Sequence, residues 1–199
     1  ADLVIKNCKV VNVFSGKIQE GDIAFSGDQI AGIGAYEGKE VIDAEGRYAA
    51  PGFIDSHLHL ESTLVTPAEL VTAASRHGTT TFIVDPHESA NVSGLAGIDY
   101  ILDQTEDVKA NVYVMMPSCV PATAIDDNGC TLTAEDMVPY LHNSRILGLG
   151  EVMDSISVVQ GEKSMHDKLE LFEGRIRDGH APFLEEGDLQ AYAMAGIAT

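Results

Sequence analysis

Over the first 50 residues the apolar positions fall in short runs broken by turn residues, and from residue 53 the period changes. Residues 3–11, 22–25, 29–33 and 41–44 read as strands. Ser26-Gly27-Asp28 makes a tight hairpin turn between the second and third, and Glu45-Gly46 closes the fourth. This spacing predicts a small all-β domain over 1–50, part of a composite β-sandwich. Farther on, strand-like runs alternate with helix-like runs. A strand over 53–60 leads to a helix that opens at Thr66-Pro67, where proline suits the first turn, and stops at Gly78. Strands at 79–85, 110–116, 146–153 and 176–181 are each followed by a helix, at 92–105, 133–142, 165–172 and 188–195.

Five successive strand–helix units predict parallel strands with right-handed crossovers. They suit either an open doubly wound sheet or part of an eight-fold barrel. The polar residues separate the two. His57 and His59, Asp85 and His87, Ser118, Glu151, and Asp178 and His180 all fall at the C-terminal ends of predicted strands. Chemistry spread over many strand ends is the habit of the (β/α)8 barrel. An open sheet gathers its contacts at one switch point, and no glycine fingerprint marks one here. The expected fold is α/β: a partial (β/α)8 TIM-type barrel of five units over 51–199, behind the small β domain.

His57 and His59 flank Leu58, so on a strand both imidazoles face one side. Such a pair can close on a divalent metal, and equally can be an ordinary surface feature until other ligands join it. Glu151 ends an apolar, glycine-containing strand, where a carboxylate can hold one metal or bridge two, or pair with an arginine. His180 sits before Pro182 at a strand mouth, as a ligand or a supporting histidine. Asp85-Pro86-His87-Glu88 places three ionisable groups at one strand end, each able to act as ligand, proton shuttle or orienting group. Glu61 is expected to begin the following loop. His142 and His166 read as solvated, His77 as a helix-end residue, and Cys119 as a buried thiol. Water activated by one or two metal ions is the fitting nucleophile. Serine-elbow and Walker-type motifs are absent from the sequence.

Composition narrows the partners. The net charge of −19, from 31 acidic and 12 basic residues, argues against nucleic acid and anionic membranes, which need a basic face. A small-molecule substrate remains. Three cysteines without paired spacing suggest a reducing, cytoplasmic setting. An apolar fraction of 45% is that of a globular protein. The chain opens at Ala1 within a strand-like run and ends at Thr199 with no closing element. Open barrel edges would favour association, so a homo-oligomer is expected.

The segments Pro51-Gly52-Phe53-Ile54-Asp55-Ser56-His57-Leu58-His59, His77-Gly78-Thr79-Thr80-Thr81, Asp85-Pro86-His87-Glu88, Gly148-Leu149-Gly150-Glu151-Val152-Met153, Asp178-Gly179-His180-Ala181-Pro182 and Asp188-Leu189-Gln190-Ala191-Tyr192 resemble, in order and spacing, the adenine deaminases of the amidohydrolase superfamily. The resemblance spans essentially the whole chain. It implies a binuclear centre, with manganese or iron favoured and zinc usual in relatives. His57 and His59 would hold one ion, Glu151 would bridge, and His180 would hold the second, with Asp85, His87 and Glu88 as catalytic candidates. The implied reaction is hydrolysis of adenine at C6 to hypoxanthine and ammonia. The family's sixth-strand histidine and eighth-strand aspartate would lie beyond Thr199, so these 199 residues are expected to have little activity alone. Phe183-Leu184-Glu185-Glu186-Gly187 departs from the family pattern at the pocket rim. The alternatives are another amidohydrolase acting on a cyclic amide, hydantoinase-like or imidazolonepropionase-like, and a non-catalytic truncated subunit or metal-binding module.

Overall fold

A computed structural model describes residues 1–123 and 125–198, which form two compact units that divide between Gly52 and Phe53. In the first, β1 (Leu3–Asn12), β2 (Lys17–Ser26), β3 (Gln29–Gly34) and β4 (Glu40–Asp43) lie in the order β3-β2-β1-β4, and β5 (Tyr48–Ala49) also pairs with β1. The two hairpins are antiparallel, while β4 and β5 run parallel to β1. Val4, Cys8 and Val10 alternate on β1 and are buried, with Ile23 and Ala24 of β2. The β1–β2 register shifts between Ile5 and Cys8, around Asn7 at φ 56°, a left-handed conformation that asparagine tolerates. Strand β2 begins at Lys17, five residues before its apolar run, because pairing with β1 holds a stretch whose side chains are exposed. The two-residue β5 carries no periodic signal, and the apolar pattern does not predict it.

The second unit is a five-stranded sheet in the order β10-β9-β8-β7-β6: β6 (Phe53–Leu58), β7 (Thr79–Val84), β8 (Asn111–Met116), β9 (Ile146–Val152) and β10 (Ile176–Gly179). Every neighbouring pair is parallel. Each strand lies beside the next in sequence, with no reversal of order. That is the progression of a barrel wall, whereas a doubly wound sheet reverses at its switch point. Helices α1 (Pro67–Ser75), α2 (His87–Ser93), α3 (Leu95–Gln104), α4 (Ala134–Met137), α5 (Ser155–Gln160) and α6 (Lys163–Leu171) fill the crossovers, and α7 (Glu186–Met194) follows β10. Strands β8 and β9 are buried on both faces, as parallel strands under helices are. Phe82, Val114, Met116 and Leu149 of the sheet meet Ile98, Ile101, Leu169 and Phe172 in one core. On the edge strand β6, Phe53 and Ile54 are exposed.

The helices differ from the sequence expectation in three places. The helix expected over 92–105 is two helices, the first beginning at His87, because Gly94 turns the chain at φ 63° and a Cβ there would lie 2.8 Å from Cys130 Sγ. The helix expected over 133–142 is α-helical only over Ala134–Met137, behind a Thr133–Asp136 capping box, and continues as a 3-10 turn that opens with Pro139 in its first turn. Helix α5 has no counterpart in the apolar pattern. It is set by Asp154, whose carboxylate accepts the Ser157 N–H at 3.0 Å. Among the described residues, no helix is long and apolar enough to cross a membrane.

Candidate metal centre

Five parallel strands put their C-terminal ends along one edge, and the ionisable residues collect there. Glu151 lies at the middle of the group. Its carboxylate Oε1 is 3.1 Å from His57 Nε2 and 3.5 Å from His180 Nδ1, and Oε2 is 3.5 Å from both His59 Nε2 and His87 Nδ1. Its backbone is held on both sides. The Glu151 N–H donates to Asp85 Oδ2 at 2.7 Å, and the Ser118 hydroxyl donates to the Glu151 carbonyl at 2.5 Å. The preceding glycine makes this approach possible: a Cβ on Gly150 would overlap the Asp85 carboxylate, 2.7 Å from its Cγ.

The histidine orientations follow from their second nitrogens. His57 Nδ1 is 3.2 Å from Asp178 Oδ2, and His59 Nδ1 is 2.7 Å from the Asp85 carbonyl. Both partners only accept, so each contact is made by an Nδ1–H, and Nε2 is the atom turned to the site. These two Nε2 atoms lie 3.2 Å apart and face Glu151. With the Glu151 carboxylate they bring three potential ligand atoms together. A divalent cation is the group that such a set suits, and the orienting Asp178 and Asp85 contacts are those that tune histidine ligands.

A second group adjoins the first. Asp85, His87 and Glu151 bring ligand atoms within 4.8 Å of one another, as do His57, His59 and Glu151. Asp85 is buried, and its Oδ1 and His87 Nδ1 stand 3.6 Å apart with no hydrogen-bond partner for either. Buried polar atoms left in this way call for an ion, a water or a shared proton. The Asp85 carboxylate raises the proton affinity of His87 above the ordinary imidazole value, against burial, which lowers it. The residues therefore fit two metal positions that share Glu151.

The His180 side chain is half-exposed and reaches the cluster through Glu151 alone among the contacts described. The Glu88 carboxylate accepts from the Ser62 hydroxyl and lines a cavity of about 420 Å³ with Glu61, Val92 and Tyr100. Glu61, expected to open a loop, starts a 3-10 turn and accepts the backbone N–H groups of Glu88 and Ser89 at 3.1 and 3.2 Å. It thus fixes the start of the helix that His87 begins. Burial holds the Glu61 carboxyl above the usual range. Asp178 reads from the sequence only as a strand-end polar residue, yet it is the partner of His57. Its offset of two from His180 is the available signal, since both then face one side. His142 is exposed as expected, but His166 Nε2 donates to the Val158 carbonyl at 2.9 Å and is partly buried. Cys119 is buried.

Residues 48–199 match the Amidohydrolase family. An adenine deaminase of Desulfitobacterium hafniense is 57% identical over 199 residues, which is all of this chain and 35% of that protein. One from Clostridium acetobutylicum is 49% identical over 201 residues, again with 35% of its length covered. The chain thus spans about a third of the length of these relatives. Among solved structures, N-acyl-D-glutamate deacylase of Bordetella bronchiseptica, complexed with zinc and a phosphonate inhibitor, superposes with a TM-score of 0.62 at 18% identity, covering 99% of this chain and 50% of that one. The L-hydantoinase of Arthrobacter aurescens gives 0.53 at 18% identity, covering 98% and 39%. At such identity these two describe the fold.

Proposed function

The chain belongs to the amidohydrolase family, and we propose that it carries the metal-holding part of an enzyme that hydrolyses adenine to hypoxanthine and ammonia. The observation that carries the reading is the convergence of His57, His59 and His180 on the one Glu151 carboxylate, the first two within a three-residue metal-binding group. The 57% identity to an adenine deaminase supports the choice of substrate.

In this reading His57, His59, Glu151 and His180 would hold two divalent ions, with Glu151 shared by both. A shell of imidazoles and carboxylates without thiolate suits manganese, iron or zinc, and manganese or iron is our assignment. When bound, such ions lower the pKa of water toward neutrality and so supply the nucleophile. The chain's own residues do the rest. Asp178 and the Asp85 carbonyl hold both histidines with Nε2 toward the site. Asp85 also fixes the Glu151 backbone. Asp85 and His87, 3.6 Å apart beside Glu151, are the candidates to carry a proton to the leaving amine. The reading includes a cytoplasmic, homo-oligomeric protein, in keeping with three free cysteines.

A chimera tests the substrate. These 199 residues replace the matching segment of the Desulfitobacterium relative, and the product is loaded with manganese. Conversion of adenine to hypoxanthine, lost on His57→Ala, supports the reading. A chimera that opens hydantoins or other cyclic amides and leaves adenine intact overturns it.

A further inference from the structure

We propose that Tyr192 is a positioning residue for the metal ligands, its hydroxyl tying the backbone of His180 to the strand end that carries Glu151. The inference rests on the reading of His180 and Glu151 as ligands.

Tyr192 is the one buried residue of α7, and its ring belongs to the core around the sheet. A phenylalanine would fill that space equally well. The hydroxyl does something more. It accepts the His180 N–H at 3.0 Å and donates to the Val152 carbonyl at 2.5 Å. Val152 directly follows Glu151, whose peptide is already fixed by Asp85 and Ser118. His180 has no such support from the sheet. The β10 ladder ends at the Gly179–Val152 pair, after a register shift, and His180 lies one residue beyond it. Its imidazole is half-exposed, with Glu151 at 3.5 Å as its described neighbour. The direction of that ring therefore depends on its backbone, and the Tyr192 hydroxyl is what holds the backbone. One oxygen thus links a well-anchored ligand to a loosely anchored one. Contacts of this supporting kind alter metal affinity by about 10–100-fold.

The test titrates the metal-free chimera described above with manganese(II), followed by electron paramagnetic resonance, in its wild-type form and as Tyr192→Phe, His180→Ala and Tyr140→Phe. Tyr140 is the control. Its hydroxyl donates to Asp99 Oδ1 at 2.6 Å, and neither residue touches a proposed ligand among the contacts described. The wild type should bind two ions. Y192F should lose about tenfold or more in affinity at the position that H180A abolishes and keep the other, while Y140F matches the wild type. Y192F within twofold of wild type, or Y140F weakened as much as Y192F, overturns the proposal. A wild type that binds no manganese overturns the metal reading and this inference with it. Amide exchange on the metal-free wild type tests the tie directly and stands even if Y192F misfolds. Protection of the His180 N–H supports the tie, and exchange at the rate of an open loop refutes it.

Discussion

Replacing Gly150 by alanine should disable the centre from behind, without removing any of its side chains. The new Cβ would overlap the Asp85 carboxylate, at 2.7 Å from Cγ and 3.1 Å from Oδ1. Asp85 is 2% exposed and has nowhere to retreat, since Oδ2 is bound to the Glu151 N–H at 2.7 Å. Relief requires breaking that charged hydrogen bond, worth about 1.5–3 kcal/mol, or shifting two packed strand ends, with an overpacking cost of about 1–3 kcal/mol. Alanine returns about 0.4–1 kcal/mol by restricting the unfolded chain. The net loss is roughly 0.5–2.5 kcal/mol. For a chain of this size that lowers the unfolding midpoint by about 2–8 °C. Gly187→Ala is the matched control, because nothing lies within 4 Å of its Cβ position and the residue is in helix α7. It should be neutral or stabilising by up to ~1 kcal/mol. Calorimetry in chelator gives both values, and manganese titration should show weakened binding in G150A alone. A G150A chain with wild-type midpoint and affinity would refute the claim that this strand end is packed too tightly for a methyl group.

Other outcomes follow from the same geometry. Adding manganese(II) at about 100 times its dissociation constant should stabilise the chain by about 2.7 kcal/mol, and chelator should reverse this; in a His57→Ala/His59→Ala variant the shift should largely vanish. Burial pushes the Cys8 and Cys119 thiols up, so at about pH 8, near the ordinary thiol pKa, a disulfide reagent should label partly buried Cys130 first and reach the other two only on unfolding. Fast labelling of Cys119 in the folded chain would contradict its placement. Lys168 is 7% exposed, and its ammonium donates to the Ser118 carbonyl at 2.7 Å. Burial lowers its pKa below the usual 10.5, so the unfolded chain binds the proton more tightly and stability should rise with pH toward 10.5. Lys168→Met should remove that rise, as urea unfolding between about pH 8 and 10 would show; an identical slope in both proteins would count against the burial.

Much of the fold is legible in the sequence, and the reason is periodicity. Residues 53–198 alternate strand and helix patterns, and parallel strands force their C-terminal ends to one edge, so the positions of His57, Asp85, Glu151 and Asp178 in the chain already imply a shared location. The pair His57 and His59 is suggested by a repeat of two along the strand expected over 53–60, although β6 ends at Leu58 and His59 lies one residue past it. Local chemistry misleads at the helices. Asp154 and Gly94 set boundaries through a side-chain cap and a left-handed turn that the apolar pattern does not record.

The sequence by itself therefore determined the class of fold and which residues gather at one rim, because both depend on spacing along the chain. Only the tertiary structure decided what those residues do to one another. That Asp178 orients His57 across 121 positions, that Asp85 grips the backbone of Glu151, and that Tyr192 joins two strand ends through one oxygen are matters of ångström separations between distant segments. Such contacts leave no periodic trace in the chain.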